Sequence, residues 1–248
     1  MFDFTLLLII ATFLTGIISL LSYLNYSKDS LQGFNDLCKS IFPILFIVLF
    51  IRSFIVEPYR IPSGSMIPTL LVGDFILVKK YQYGIKMPLS NQLLIENRKP
   101  QYGDIIVFQY PLNKEINYIK RVIALPGDRI DYINKQVFIN GKKVSHLNIS
   151  SHMISEQDIG SGKIIKEKLF KNTHIILVDK LNSGQDFSYT VPKNSYFVLG
   201  DNRDNSNDSR YWGAVHEDHI IGEAFLIWMF WNPDSEYSLS DRIGTSLN

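Results

Sequence analysis

Asn117-Tyr118-Ile119-Lys120-Arg121-Val122-Ile123-Ala124-Leu125 is the stretch on which the fold turns. It is rich in β-branched and aromatic residues, and Pro126-Gly127-Asp128 closes it with a turn. Runs of the same kind recur on both sides: Asp74–Lys80, Asp104–Tyr110, Arg129–Ile133, Gln136–Ile139, His174–Val178, Ser195–Leu199 and Ile220–Trp231. Asn140-Gly141 is a second strong turn signal. From residue 58 onward helical periodicity is scarce. Many short strands with frequent turns predict a mainly β chain whose antiparallel sheet folds over on itself.

Residues 141–172 differ, being richer in Ser, Lys, His and Asn, with Gly160-Ser161-Gly162 among them. They read as part of a small peripheral β insertion over 131–190. The core then comprises 58–130 and 191–231, and 232–248 reads as a polar, irregular tail. The aromatic run Phe225–Trp231 is expected to pack in the core.

Upstream the pattern changes. Phe4–Leu24 carries no charge and is dominated by Leu, Ile and Phe. At roughly 1.5 Å per residue, a helix of that length spans a hydrocarbon core. The only early charge is Asp3, and no Ala-x-Ala-like site follows, so a retained helix is expected rather than a cleaved leader. Ser40–Val56 is a second, shorter candidate, with Pro43 near its start and Arg52 placed to snorkel toward the interface. The expected anchor is thus 1–57, with transmembrane helices about 4–24 and 40–56. The connecting loop holds Lys28 and Lys39, whereas the N-terminal tail holds no Lys or Arg. By the positive-inside rule the loop is cytoplasmic, and the N-terminus and everything after about residue 57 lie outside.

Lys and Arg number 25 against 24 Asp and Glu, so no basic excess points to nucleic acid. The single cysteine, Cys38, excludes an intrachain disulfide.

Just past the anchor, residues 62–69 read Pro-Ser-Gly-Ser-Met-Ile-Pro-Thr. A serine there is a candidate nucleophile beside a membrane, but a hydroxyl needs a neighbouring base. The five histidines, His146, His152, His174, His216 and His219, sit in no motif of that character and read as surface residues. His216 and His219 lack a third ligand, so no metal site is expected. Lysine serves as a base once burial lowers its pKa from about 10.4. Lys120 has the apolar flanks this requires, and strand alternation puts Tyr118, Lys120 and Val122 on one face. On this ground alone Lys79 and Lys80 remain alternatives. Ser63 and the Ser65 N–H are candidate oxyanion donors, with Gly64 permitting the turn between them.

The polar loop Gly200–Arg210 fails a calcium test. A loop starting at Asp204 has Ser209 and Val215 where Gly and Glu are required. Asp201, Arg203, Asp204, Asp208 and Arg210 instead suggest a self-paired ionic loop.

These segments together resemble the bacterial type I signal peptidases, membrane-bound Ser/Lys endopeptidases. The matching pieces are Ile61–Leu70 with Gly73-Asp74, Gly103–Phe108, Tyr118–Arg121 with Leu125–Asp128, Gly200–Ser206, and Asp208–Gly213. The resemblance runs from about Pro43 to Trp228, interrupted at the insertion. It implies Ser65 as nucleophile, Lys120 as general base, Ser63 and the Ser65 N–H as oxyanion hole, and Ser206 as the group that hydrogen-bonds and orients Lys120. It implies structural ion pairs Asp201–Arg121 and Asp208–Arg210. Ile61, Pro62, Met66, Leu70, Tyr118 and Ile119 would bind substrate in shallow pockets for small residues at P1 and P3.

The partners so implied are preprotein signal peptides with Ala-x-Ala-like sites and the lipid bilayer, and the place a bacterial inner membrane with the catalytic domain on its periplasmic side. No cofactor and no metal are expected, and a monomer is the default. The insertion is shorter than in some relatives and lacks their disulfide. Asn207 stands where close relatives often carry a small residue. Two rivals differ in kind. A self-cleaving repressor-type Ser/Lys protein would carry a DNA-binding module, and a non-catalytic membrane scaffold would not need both Ser65 and Lys120.

Overall fold

The computed structural model describes residues 4–24, 32–87, 92–148, 162–179 and 186–247. Two apolar helices come first. The first, α1, is Phe4–Tyr23 and the second, α2, is Gln32–Phe50, prolonged by a π-helical turn over Ile51–Ile55. Both are long and apolar enough to cross a membrane. In α1 the threonine hydroxyls are satisfied within the helix: Thr12 Oγ1 donates to the Leu8 carbonyl at 2.7 Å and Thr15 Oγ1 to Ala11 at 2.8 Å. At Gly16 a Cβ would meet the Phe42 ring at 2.8 Å, so the glycine lets the two helices approach.

The second helix starts at Gln32, earlier than the expected Ser40. Asn35, Asp36 and Lys39 lie in its opening turns, where a purely apolar reading ends. Arg52 pairs with Glu57 at 2.9 Å, and Lys80 joins the same carboxylate at 3.2 Å. The loop with Lys28 lies outside the described residues.

The remainder is mostly antiparallel β. Its strands are β1 Val56–Arg60, β2 Asp74–Lys79, β3 Gly84–Lys86, β4 Leu93–Glu96, β5 Ile105–Tyr110, β6 Asn113–Ala124, β7 Arg129–Ile133 and β8 Gln136–Ile139. They continue with β9 Lys142–Lys143, β10 Ser145–Asn148, β11 Gly162–Leu169, β12 Asn172–Asp179, β13 Phe187–Thr190, β14 Ser195–Leu199, β15 Val215–His216 and β16 Ile220–Phe230. A seven-stranded sheet runs β1-β2-β16-β5-β6-β14-β15. Smaller sheets are β13-β7-β8-β9, β10-β11-β12 and the β3-β4 hairpin.

The fold follows from alternation. In β2 every second residue is buried, and Ile76 and Val78 join Ile105, Val107, Ala224 and Ile227 in one core cluster. A second cluster unites Ile123, Ala124, Phe197 and Leu199 of the large sheet with Ile130, Tyr132, Val137 and Ile139. A third joins Ile164 and Leu177 to Ile67, Leu71 and Phe230. Residues within 131–190 are thus packed both on the large sheet and on the segment that follows Ser65.

Two expectations are corrected here. The segment after Asn232 is not irregular throughout: Leu239–Arg242 forms a short helix with a capping box at Ser238 and Asp241, and Leu247 is buried against the core. The aromatic run divides between core and solvent across a register shift at Ile227–Met229, Ile227 and Phe230 being buried while Trp228 and Trp231 are 41% and 57% exposed.

Candidate active site

Ser65 lies in a single 3-10 turn, Gly64–Met66, closed by the Ile67 N–H on the Gly64 carbonyl at 3.2 Å. The turn places Met66 inward, with no exposed surface, and leaves Ser65 half-buried above it. Lys120 stands on β6 opposite Ile106 of β5, two residues from fully buried Val122 on the same face. Its Nζ lies 2.6 Å from Ser65 Oγ and donates to the Ile119 carbonyl at 3.0 Å. Of the candidate bases Lys79, Lys80 and Lys120, the fold brings Lys120 to the serine.

Lys120 is only 4% exposed. Burial penalises its ammonium and draws its pKa down to about 8, with Arg210 adding a smaller push in the same direction. Asp208 and Asp201 oppose this without cancelling it. A neutral amine at hydrogen-bond distance from a hydroxyl is chemically able to accept its proton.

Strand alternation turns Arg121 to the other face, where it grips Asp201 with two parallel bonds of 2.8 and 2.7 Å and gives a third to the Gly103 carbonyl at 2.8 Å. Thr69 Oγ1 also donates to Asp201, at 2.5 Å. Burial works to raise the Asp201 pKa, but the Arg121 charge and hydrogen bonds outweigh it and hold the carboxyl below its usual range. Asp208 pairs with Arg210 at 2.8 Å, accepts the Arg210 N–H and also takes the Gly200 N–H at 3.0 Å. Both expected pairs are therefore formed.

The loop is not self-paired as a whole. Arg203 leaves it to bind Glu167 of β11, and Asp204 accepts from Lys135 at 2.9 Å and from the Asp179 N–H at 2.7 Å. Asn202 turns the other way. Its N–H donates to the Ser65 carbonyl at 3.1 Å and its Nδ2 to the Gly64 carbonyl at 3.0 Å. Four consecutive residues, Asp201 to Asp204, thus each bind different parts of the chain, among them the Ser65 turn.

The expected bond from Ser206 to Lys120 is absent. The Ser206 hydroxyl is buried and has no hydrogen-bond partner among the described residues, and Lys120 is held by Ser65 and Ile119 instead. Ser206 Oγ packs against Gly200, where an added Cβ would overlap both that oxygen and the Ser65 carbonyl. Gly200 is required by this contact alone.

Of the expected substrate wall, Met66 and Leu70 are wholly buried and Ile61 is 3% exposed, so these three form backing for a surface rather than the surface itself. Pro62 and Ser63 are exposed, while Tyr118 and Ile119 are half-buried. The Tyr118 ring stacks on Tyr110 with centroids 4.4 Å apart, and Lys120 Nζ sits 5.4 Å from its centre. Asn207 Nδ2 reaches the Tyr118 hydroxyl at 3.5 Å. Asn207, Ser206, Asp204 and Tyr211 border an open depression of about 290 Å³.

Sequence reasoning missed Glu167, His146 and His174. His174 is 7% exposed, not a surface residue, and both histidines contact Glu167. His152 lies outside the described residues. Among the described residues no group of His, Cys, Asp and Glu side chains is arranged to hold a metal ion.

Residues 34–231 match the family described as signal peptidase, peptidase S26. The chain is 46% identical to the signal peptidase I of Pseudomonas aeruginosa over 81% of its own length and 74% of that protein's. It is 41% identical to the Pseudomonas fluorescens signal peptidase I, with 78% and 72% covered. Against the signal peptidase I of Buchnera aphidicola subsp. Schizaphis graminum the identity is 38%, over 96% of both chains. A crystal structure of a signal peptidase I from Enterococcus faecalis is 32% identical, covers 51% of this chain and 97% of its own, and has a TM-score of 0.35.

Proposed function

Because the chain belongs to the peptidase S26 family of signal peptidases, we propose that it removes signal peptides from translocated preproteins with a Ser65–Lys120 dyad. The carrying observation is the 2.6 Å contact between Ser65 Oγ and a lysine almost wholly withdrawn from water.

Neutral Lys120 takes the Ser65 proton as Oγ attacks the scissile carbonyl carbon. The developing oxyanion is received by the Ser63 hydroxyl and the Ser65 N–H. Lys120 then gives that proton to the departing amine as the C–N bond breaks, leaving an ester on Ser65. Water, deprotonated by the now neutral Lys120, attacks the ester and frees the signal peptide's carboxylate while Lys120 returns a proton to Ser65. No metal or cofactor enters these steps.

Substrate binds as an extended strand near Tyr118 and Ile119, a mode that draws affinity from the backbone. The surface backed by Ile61, Met66 and Leu70 admits small residues at P1 and P3 and excludes larger ones by overlap. Ser206, buried beside Gly200, supports the packing around the base. The two helices hold the domain at the bacterial inner membrane, with the N-terminus and the active site on the periplasmic side. The enzyme acts as a monomer.

The test is cleavage of a preprotein bearing an Ala-x-Ala site in detergent micelles over pH 6–10. Wild type is expected to cut after the final alanine, with an acid limb near pH 8 that reports deprotonation of Lys120. Ser65→Ala and Lys120→Ala are expected to be inactive. Activity retained by either variant would overturn the dyad.

A further inference from the structure

Glu167 has no exposed surface, although it lies in a lysine-rich strand, β11. A buried carboxylate is costly unless it is paired and hydrogen-bonded. Here the pairing is extensive. In register, Glu167 faces His146 on β10 and His174 on β12, with contacts of 3.0 and 3.1 Å. Arg203, itself unexposed, closes a two-pronged ion pair on it from the catalytic loop, with Nη1 at 2.9 Å from Oε1 and Nη2 on Oε2. Burial acts to raise the Glu167 pKa, but the Arg203 charge, with His146 and His174 beside the carboxylate, holds it well below the ordinary carboxylate range.

This ion pair is one residue from the nucleophile's support. Asn202, next to Arg203, bonds the Gly64 and Ser65 carbonyls through its side chain and its N–H. The Arg203 N–H donates to the Leu177 carbonyl at 2.9 Å, and the Leu177 N–H to the Asp201 carbonyl at 2.8 Å. Asp208, Asp201 and Arg210, the charged groups acting on Lys120, all belong to residues 201–210.

We propose that Glu167 is a positioning residue for the peptidase reaction: through Arg203 it fixes the 200–206 loop, and with it the Ser65 turn and the enclosure of Lys120. The residues between the two halves of the large sheet are then a working part of the site. This rests on the Ser65–Lys120 reading above. A purely structural ion pair would change stability and leave the kinetics of the folded enzyme unaltered.

The experiment compares full-length wild type, Glu167→Gln, Ser65→Ala and Lys120→Ala in detergent on an Ala-x-Ala preprotein. It measures kcat, KM, the pH profile and thermal unfolding, with assays run well below the unfolding transition. Glu167→Gln is expected to lose roughly tenfold to a hundredfold in kcat, the scale of a small misplacement of reacting groups, with KM nearly unchanged. Its acid limb is expected to move upward, because a released loop admits water to Lys120. A folded Glu167→Gln with wild-type kcat and acid limb overturns the proposal.

If that variant does not fold, Glu167→Gln with Arg203→Gln removes both charges and avoids a lone buried ion, and the same outcomes are read on it. Restored kcat in Glu167→Asp relative to Glu167→Gln would further support positioning by charge. Activity surviving in Ser65→Ala or Lys120→Ala would defeat the dyad itself, an outcome independent of the Glu167 result.

Discussion

At the residue scale, Lys120 weakens the fold that uses it. Its pKa falls from 10.5 to about 8 on folding, so the folded state binds its proton less readily than the unfolded chain does. The cost is full below about pH 8 and is relieved as pH rises from 8 toward 10.5. It amounts to about 3 kcal/mol at pH 7. Lys120→Met is therefore expected to be inactive yet more stable than wild type by about that amount. Chemical denaturation at pH 7 and pH 10 checks this, since the advantage should shrink at the higher pH. Gly200 shows the opposite economy, a residue needed for what it lacks. In Gly200→Ala the new methyl group collides with Ser206 Oγ and the Ser65 carbonyl. We expect activity to fall about a hundredfold or more, the scale of misplaced reacting groups, while far-UV circular dichroism stays unchanged. Normal turnover would show that the loop yields without disturbing Ser65.

At the element scale, strands marked by β-branched and aromatic side chains were legible, and strands whose β character comes from pairing with a partner were not. Arg129–Ile133, Gln136–Ile139 and Ser195–Leu199 form over the expected residues because β-branched and aromatic side chains mark them directly. β11 was hidden because Lys163, Lys166, Glu167 and Lys168 give it a polar composition, and its β character comes from pairing with β10 and β12. The C-terminal helix was hidden for a related reason. Leu239–Arg242 is too short to be stable alone and is held by Arg242, which bonds Asp74 with contacts of 3.1 and 2.5 Å. Asp74 has no exposed surface. Arg242→Ala is expected to destabilise the protein by about 3 kcal/mol, because it strands a buried carboxylate. A melting temperature equal to that of wild type would mean that Asp74 finds another partner.

At the scale of the whole molecule, the Gly200–Arg210 loop is held by buried ion pairs, so acid should undo it. Glu167 and Asp201 are both wholly buried, and both have carboxyl pKa values depressed by arginine partners. Groups of this kind stabilise the fold above their unfolded pKa values, near 4, and that stabilisation is lost as pH falls through their lower folded values. Thermal midpoints should therefore drop steeply below about pH 4, and a midpoint that is the same at pH 3 and pH 7 would contradict the sign of these shifts. The membrane helices lead directly into this domain: Ile55 ends the second helix, Val56 begins β1, and Ser65 follows ten residues after Ile55. By itself the sequence determined the apolar anchor, the mainly β character and the candidate serine Ser65, with Lys79, Lys80 and Lys120 as candidate bases, because hydropathy, alternation and motif spacing are local properties of the chain. Only the tertiary structure decided which lysine meets the serine, that Ser206 makes no bond to it, and that Arg203 and Asp204 anchor outside their own loop. Those outcomes depend on contacts between residues far apart in sequence and on their shared removal from water, and neither is written in any single segment.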